Sequence, residues 1–339
     1  MLNEGKKLTP QELMDDIKRN SGKARGWPNY FGYFLNGDSI TISVDNKILD
    51  KNATRRLDPW GLAFLVSAES RCGIKISTIN FAISGEIDEI KPYGRLAPDL
   101  EAFRRRVSFL SINNPDIQFV ITVNGVNQAL DDVRKLFNRP DNEKIRENLS
   151  HTPQDNHPGR LEKDFQTWLF ANEVKGKVRT ANTNTNERLA VLGDDFFKLK
   201  NKAFGIDREF PTGVFYDKIS NSTRVLPTEF VDIVTLNKYG QLSVIELKLN
   251  DSKLEVIAQI LDYSLFFRCY IDKLLPVIKE KLGHAPKGKD IVCYVVNNYY
   301  HDRFENVMKY YGTKNRSYGF RVVKIVLGAH SEIGSRAIS

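Results

Sequence analysis

The segment FVDIVTLNKYGQLSVIELKLND, residues 230–251, constrains this chain more than any other. Val231, Ile233, Val244, Ile245, Leu247 and Leu249 supply β-branched and aliphatic side chains on either side of Asn237-Lys238-Tyr239-Gly240, a cluster of turn-forming residues, so two strands with a tight connection are expected. With the turn centred between Lys238 and Tyr239, antiparallel pairing sets Asp232 opposite Ile245 and beside Glu246. The two-residue period of a strand puts Glu246 and Lys248 on one face. Ile245, Leu247 and Leu249 then point the other way, into a core. Three charged groups sharing one face of an apolar hairpin are costly unless they are paired, hydrated or holding a cation.

Mg²⁺ prefers oxygen ligands and uses one or two carboxylates together with waters and substrate phosphate oxygens. Asp232 and Glu246 meet that demand. Lys248 would position the attacking water or neutralise charge in a phosphoryl transition state. The competing account is a surface hairpin whose ion pairs are worth about 0 to 1 kcal/mol. An Asp at matching height in the partner strand, among strongly apolar neighbours, weighs against it.

D-(x13)-E-L-K across a hairpin resembles the core of the PD-(D/E)XK nuclease superfamily, with Asp232 matching the motif Asp and Glu246 and Lys248 the E-x-K. Upstream, GRLEKDFQTWLF, residues 159–170, carries Leu161, Phe165, Trp168 and Leu169 at helical spacing, with Glu162 off that stripe. The resemblance implies an extra metal-binding Glu from such a helix, for which Glu162 is the candidate and Asp164 a competitor. A solvated charge on an amphipathic helix is the other account. Downstream, KLEVIAQILDYSLFF, residues 253–267, places Leu254, Ile257, Ile260, Leu261 and Leu265 on a helical stripe, with Gln259 and Tyr263 four apart on one face. Q-x-x-x-Y after D and E-x-K is similar to the RecB-like and Shedu-like branches, which implies Gln259 near the metal and Tyr263 beside the substrate backbone. One departure is that Val231, not Pro, precedes Asp232, with Pro227 further upstream.

The resemblance covers residues of about 159 to 330. It implies an α/β fold with a mixed central sheet flanked by helices, restriction-endonuclease-like. It further implies a Mg²⁺- or Mn²⁺-dependent DNA endonuclease of prokaryotic anti-phage defence or restriction. Asp232, Glu246 and Glu162 would be its metal ligands, and Asp232, Glu246, Lys248, Gln259 and Tyr263 its catalytic residues. A DNA-repair nuclease of the same fold and a non-catalytic nucleic-acid-binding or scaffold protein are the alternatives.

At 339 residues the chain has room for two domains. Within a first domain at 1–140, residues 38–138 alternate in type: DSITISV, TINFAIS and IQFVITV read as strands, and DPWGLAFLVSAES, APDLEAFRRRVSFL and NQALDDVRKLF as helices. Asp58-Pro59 and Ala97-Pro98-Asp99 read as helix starts. This α/β domain is expected to be accessory or regulatory, binding a regulator or nucleic acid. Residues 141–158 are polar and proline-bearing, hence a linker to a nuclease domain at 159–339. There the reading is helix (160–174), irregular or strand segments (190–217), hairpin, helix (253–282), strand (290–296), helix (302–311) and strand (321–327).

The net charge of +8 favours a polyanionic partner, with DNA the simplest, and a homo-oligomer is left open. No run of about 18 apolar residues is present, the first residues lack a signal-peptide h-region, and Cys72, Cys269 and Cys293 are too scattered for a disulfide framework. A cytoplasmic protein without a membrane partner is expected.

Gly283–Lys289 nearly matches a phosphate-binding loop, but Asp290 replaces the Ser/Thr and the order is helix, loop, strand, so the match is rejected. No histidine spacing suits zinc. Lys309, Lys314, Arg316, Arg321 and Lys324 interleave with Tyr310, Tyr311, Tyr318 and Phe320, a mixture equally suited to nucleic-acid contact and to a solvated face. Lys198, Lys200 and Lys202 carry the same ambiguity. Arg104, Arg105 and Arg106 read as a charged helix face sooner than as a nucleic-acid or subunit contact.

Overall fold

A computed structural model describes residues 7–23, 26–45, 51–85, 97–146, 161–170, 173–174, 177–178, 186–196, 205–312 and 318–327. It is a mixed α/β structure whose sheets are flanked by helices. The chain divides into two units. The first comprises Met1–Asn138, Lys253–Gln259 and His301–Gly312, and the second Arg139–Ser252, Ile260–Tyr300 and Thr313–Ser339.

The elements up to Asn138 are α1 (Pro10–Arg19), β1 (Gly32–Asn36), β2 (Ser39–Asp45), α2 (Lys51–Ser67), β3 (Thr78–Ser84), α3 (Pro98–Asn113), β4 (Gln118–Val123), β5 (Val126–Asn127) and α4 (Val133–Phe137). Next come β6 (Glu143–Ile145), α5 (Leu161–Phe170), β7 (Glu173–Val174), β8 (Lys177–Val178), α6 (Asn186–Leu189), β9 (Asp207–Pro211), β10 (Val214–Tyr216) and β11 (Arg224–Leu226). The last are β12 (Phe230–Leu236), β13 (Leu242–Leu247), α7 (Glu255–Leu282), β14 (Ile291–Asn297), α8 (Phe304–Tyr311) and β15 (Phe320–Val326).

In the first unit the sheet order is β1-β2-β3-β4-β5, with parallel pairing in the middle and antiparallel pairing at both edges. Alternation explains the strands: Ile40, Ile42 and Val44 of β2 and Ile79, Phe81 and Ile83 of β3 are buried. Two sequence expectations need correction. Helix α2 starts at Lys51, with Pro59 inside it, so Asp58-Pro59 does not start a helix. Asp58 is fully buried and receives Arg106, whose guanidinium also donates to Thr54 O at 2.8 Å, and this joint grip favours helical geometry from Thr54 to Asp58. Helix α4 is only Val133–Phe137, because the Asp132 side chain caps it through Lys135 N at 2.8 Å, while Val126 and Asn127 pair as a strand. Arg104 and Arg105 pair with Glu101, Arg104 also with Asp131, and Arg106 with Asp58.

In the second unit a five-stranded sheet has the order β15-β14-β13-β12-β9. Pairings β9–β12 and β12–β13 are antiparallel, and β13–β14 and β14–β15 parallel. One face is buried by Phe165 and Leu169 of α5, together with Leu189, Leu192 and Phe196, against Ile233, Ile245, Leu247, Val292, Tyr294 and Val296. That contact fixes α5 beside the hairpin. Residues from α7 approach the same sheet: Phe267 lies 5.3 Å from Phe210 between ring centres, and the Tyr263 hydroxyl donates to Phe230 O at 3.1 Å.

A second sheet, β11-β10-β6, contains Glu143–Ile145, which fall within the expected linker. Glu143 is buried there between Arg139, four residues away, and the Tyr270 hydroxyl, a contact 127 residues away in sequence that local polarity does not reveal. Lys198, Lys200, Lys202, Lys314, Arg316 and the tail from residue 328 lie outside the described residues. Among the described residues no helix is long and apolar enough to cross a membrane.

Candidate active site

The hairpin pairs Ile233 with Ile245, Val234 with Val244, Thr235 with Ser243 and Leu236 with Leu242. One further step along that register sets Asp232 directly opposite Glu246, a correction of one residue to the pairing expected from sequence. The loop is the cause. Asn237 Oδ1 accepts from the N–H groups of Tyr239 and Gln241, each at 3.0 Å, and Gly240 adopts φ +79°, so the connection is centred on Tyr239. The shift tightens the cluster, because directly opposed side chains share a face at the shortest Cβ separation.

Asp232 and Glu246 are 7% and 1% exposed. Asp232 Oδ2 accepts from Leu247 N–H at 2.8 Å, so the carboxylate closes the end of the ladder. Lys248 Nζ stands 2.6 Å from Glu246 Oε1 and 3.6 Å from Glu162 Oε1. The structure thus brings together Asp232, Glu246, Lys248 and Glu162 from two strands and α5. The other oxygen of Glu246, Oε2, is buried and receives no N–H or cationic donor, the Asp232 carboxyl being the group that faces it.

Burial pushes the Glu246 carboxyl up to about 8, and the facing Asp232 adds to the rise. Burial likewise raises Glu162 to about 7, against the pull of Lys248, and lifts Asp232 above its ordinary value. For Lys248, burial opposes the charge, but Glu246, Asp232 and Glu162 outweigh it and hold the ammonium protonated. Three carboxylates around one ammonium therefore resist full ionisation until more positive charge arrives.

The same helix supplies residues that the motif did not reveal. Gln166, one turn after Glu162, donates through Nε2 to Asp232 O at 2.8 Å and approaches Oδ1 at 3.5 Å. Lys163 Nζ lies 3.3 Å from Gln166 Oε1 and is ion-paired to Glu209. Glu209 sits on β9 where the β9–β12 register meets Asp232, and its backbone is left-handed at φ +54°. Such a conformation costs a non-glycine residue about 1 to 3 kcal/mol. The i, i+4 spacing of Glu162 and Gln166 was a readable signal; the placement of Glu209, through a distorted edge strand, was not.

Tyr263 is buried, with its hydroxyl on the Phe230 carbonyl at the start of the strand that carries Asp232. Gln259 is half-buried one turn earlier on α7 and belongs to the first unit. A cavity of about 640 Å³ lined by Tyr239, Asp290, Gly319, Phe320 and Arg321 opens at the start of β14 and β15, the end of the sheet away from Glu246.

Among the described residues no group of three or more His, Cys, Asp and Glu side chains is arranged to hold a metal ion. A hard divalent cation needs only one or two carboxylates when substrate oxygens and water complete its shell. Asp232 and Glu246 supply such a pair, and Glu246 Oε2 receives no N–H or cationic donor, only the facing Asp232 carboxyl. These residues fit Mg²⁺ or Mn²⁺. Comparison with protein-family models, curated proteins and solved structures gives no match.

Proposed function

We propose that the protein is a Mg²⁺- or Mn²⁺-dependent endonuclease that hydrolyses phosphodiester bonds in DNA. Its second unit would be a restriction-endonuclease-like domain akin to the PD-(D/E)XK superfamily. The observation that carries this reading is the convergence of Asp232, Glu246 and Lys248 at one buried strand end, with Lys248 Nζ 2.6 Å from Glu246. A surface ion pair would not require three carboxylates in one largely buried cluster. The two antiparallel and two parallel pairings of the sheet support the fold assignment.

Asp232 and Glu246 would hold the cation, with Glu162 as a third carboxylate. When bound, the ion supplies Lewis-acid polarisation of the scissile phosphate. Leu247 N–H keeps the Asp232 carboxylate oriented. Lys248 stands to neutralise charge that builds on the phosphoryl oxygens in the transition state, where a preorganised cation acts most strongly. The apolar layer of Ile233, Ile245 and Leu247 behind these groups limits water access and strengthens each electrostatic interaction.

The biological setting we infer is prokaryotic anti-phage defence or restriction, in which the first unit recognises or restrains. The test is incubation with supercoiled, linear and single-stranded DNA and with RNA, in Mg²⁺, Mn²⁺ or EDTA. Metal-dependent nicking or linearisation that Asp232→Ala and Lys248→Ala abolish, with folding intact, is the expected outcome. Equal cleavage by the parent and these variants would sink the assignment.

A further inference from the structure

The contacts of Glu209, Lys163 and Gln166 run as a chain to Asp232, where Gln166 Nε2 donates to the backbone carbonyl at 2.8 Å and comes within 3.5 Å of the carboxylate Oδ1. A glutamine amide presents an oxygen at one end and an NH₂ at the other, and rotation by half a turn exchanges them. Turned the wrong way, Gln166 would aim its oxygen at the Asp232 carbonyl and, further off, at Oδ1, and repel both. Lys163 forbids that orientation. An ammonium has three donors and no acceptor, so Gln166 Oε1, 3.3 Å from Lys163 Nζ, must face it, and Nε2 is left to donate to Asp232.

Lys163 is itself held by the Glu209 carboxylate, whose side chain is only 10% exposed. Glu209 reaches it from the left-handed backbone at φ +54° that interrupts β9 opposite Asp232. Strained non-glycine residues persist where their surroundings over-determine them, and they concentrate at functional sites. Here the strained residue is the far end of a chain of contacts that begins at the candidate metal ligand. The Gln166 bond to Asp232 O at 2.8 Å ties α5 to β12, while the approach to Oδ1 at 3.5 Å faces the ligand group itself.

We propose that Glu209, Lys163 and Gln166 form a positioning relay that fixes the Asp232 carboxylate in the orientation a divalent cation requires. The relay rests on the nuclease reading above and adds to it a set of residues outside the D…E-x-K pattern. Partners one shell behind a ligand commonly change metal affinity by about 10- to 100-fold when removed.

The experiment uses the full chain without DNA and titrates Mn²⁺, reading free ion by electron paramagnetic resonance. Mg²⁺ dependence of plasmid cleavage and thermal melting are measured in parallel. Lys163→Met and Gln166→Leu should weaken Mn²⁺ binding by about tenfold or more and raise the Mg²⁺ needed for half-maximal cleavage by a like factor. KM for DNA should stay put, and Lys163→Arg should recover most of the affinity. If Lys163→Met does not fold, Glu209→Gln, which keeps shape and removes charge, carries the same expectation.

A parent that binds Mn²⁺ and cuts DNA alongside variants of unchanged affinity overturns the relay alone. The same holds if melting drops while Mn²⁺ affinity does not. A parent that neither binds Mn²⁺ nor cuts removes the nuclease reading and the relay together.

Discussion

Two buried acid–base clusters in this molecule have opposite characters. In the first unit Asp58 and Arg106, 0% and 1% exposed, meet through bonds of 3.0 to 3.2 Å, and Tyr311 adds a hydroxyl at 2.6 Å and Thr54 a carbonyl at 2.8 Å. Among the described contacts that cluster joins one acid and one base to a hydroxyl and a carbonyl. In the second unit Lys248 pairs with Glu246 and Glu162 while Asp232 acts on it through its charge, and a buried oxygen of Glu246 receives no N–H or cationic donor. A buried ion pair with its lone pairs answered is a structural element, whereas a surplus of acids at a strand end is a site that awaits charge. Burial alone does not distinguish them; the balance of charge and the count of unanswered atoms do.

The sharpest way to break the comparison is to cut into both clusters. Lys248→Ala should lower cleavage by about 100- to 1000-fold, the usual cost of one preorganised transition-state donor, while denaturant unfolding stays close to the parent. Asp58→Ala should do the reverse. It leaves Arg106 buried without its counter-charge, a loss of about 3 to 5 kcal/mol, with Mn²⁺ affinity of the surviving folded protein unchanged. If Lys248→Ala unfolds the protein and leaves cleavage rates intact, the two clusters have been assigned the wrong way round.

Tyr311→Phe makes a finer cut. It removes one hydroxyl from Asp58 and should cost about 1 to 2 kcal/mol, again with no change in metal response.

The smallest effect is a pH dependence. Burial and Asp232 hold the Glu246 carboxyl protonated up to about 8, so the folded chain keeps a proton that the unfolded chain has released. The stability from this group is complete below the ordinary carboxylate value and declines as pH rises from there to about 8. Glu246→Gln cannot ionise. Metal-free, it should melt with the parent near about pH 4 and several degrees above it at the top of that window. Calorimetric scans at both ends decide this, and parallel melting curves across the range would refute it.

What the sequence revealed of these regions divides along physical lines. Strand alternation in β2 and β3, the aliphatic run of β12 and the E-x-K in β13 are local, so sequence pattern exposes them, as it does Glu162 on α5. The hairpin register differs by one residue from the one strand pattern implies, because an Asn237 side chain, not the backbone alone, shapes the loop. Glu209, Lys163 and Gln166 meet only through tertiary packing of α5 on an edge strand, which no local pattern encodes. The Asp58-Pro59 pair looked like a helix start because its partner, Arg106, lies 48 residues away.

The loop between β12 and β13 touches none of the charged groups, yet Asn237 sets which residue faces which for the whole hairpin. A slip of one position would turn Asp232 toward the apolar layer and bring a hydrophobic residue to face Glu246. The loop therefore works as a length gauge: insertion or deletion of a single residue there would carry Asp232 away from Glu246 as surely as replacing the aspartate would remove it.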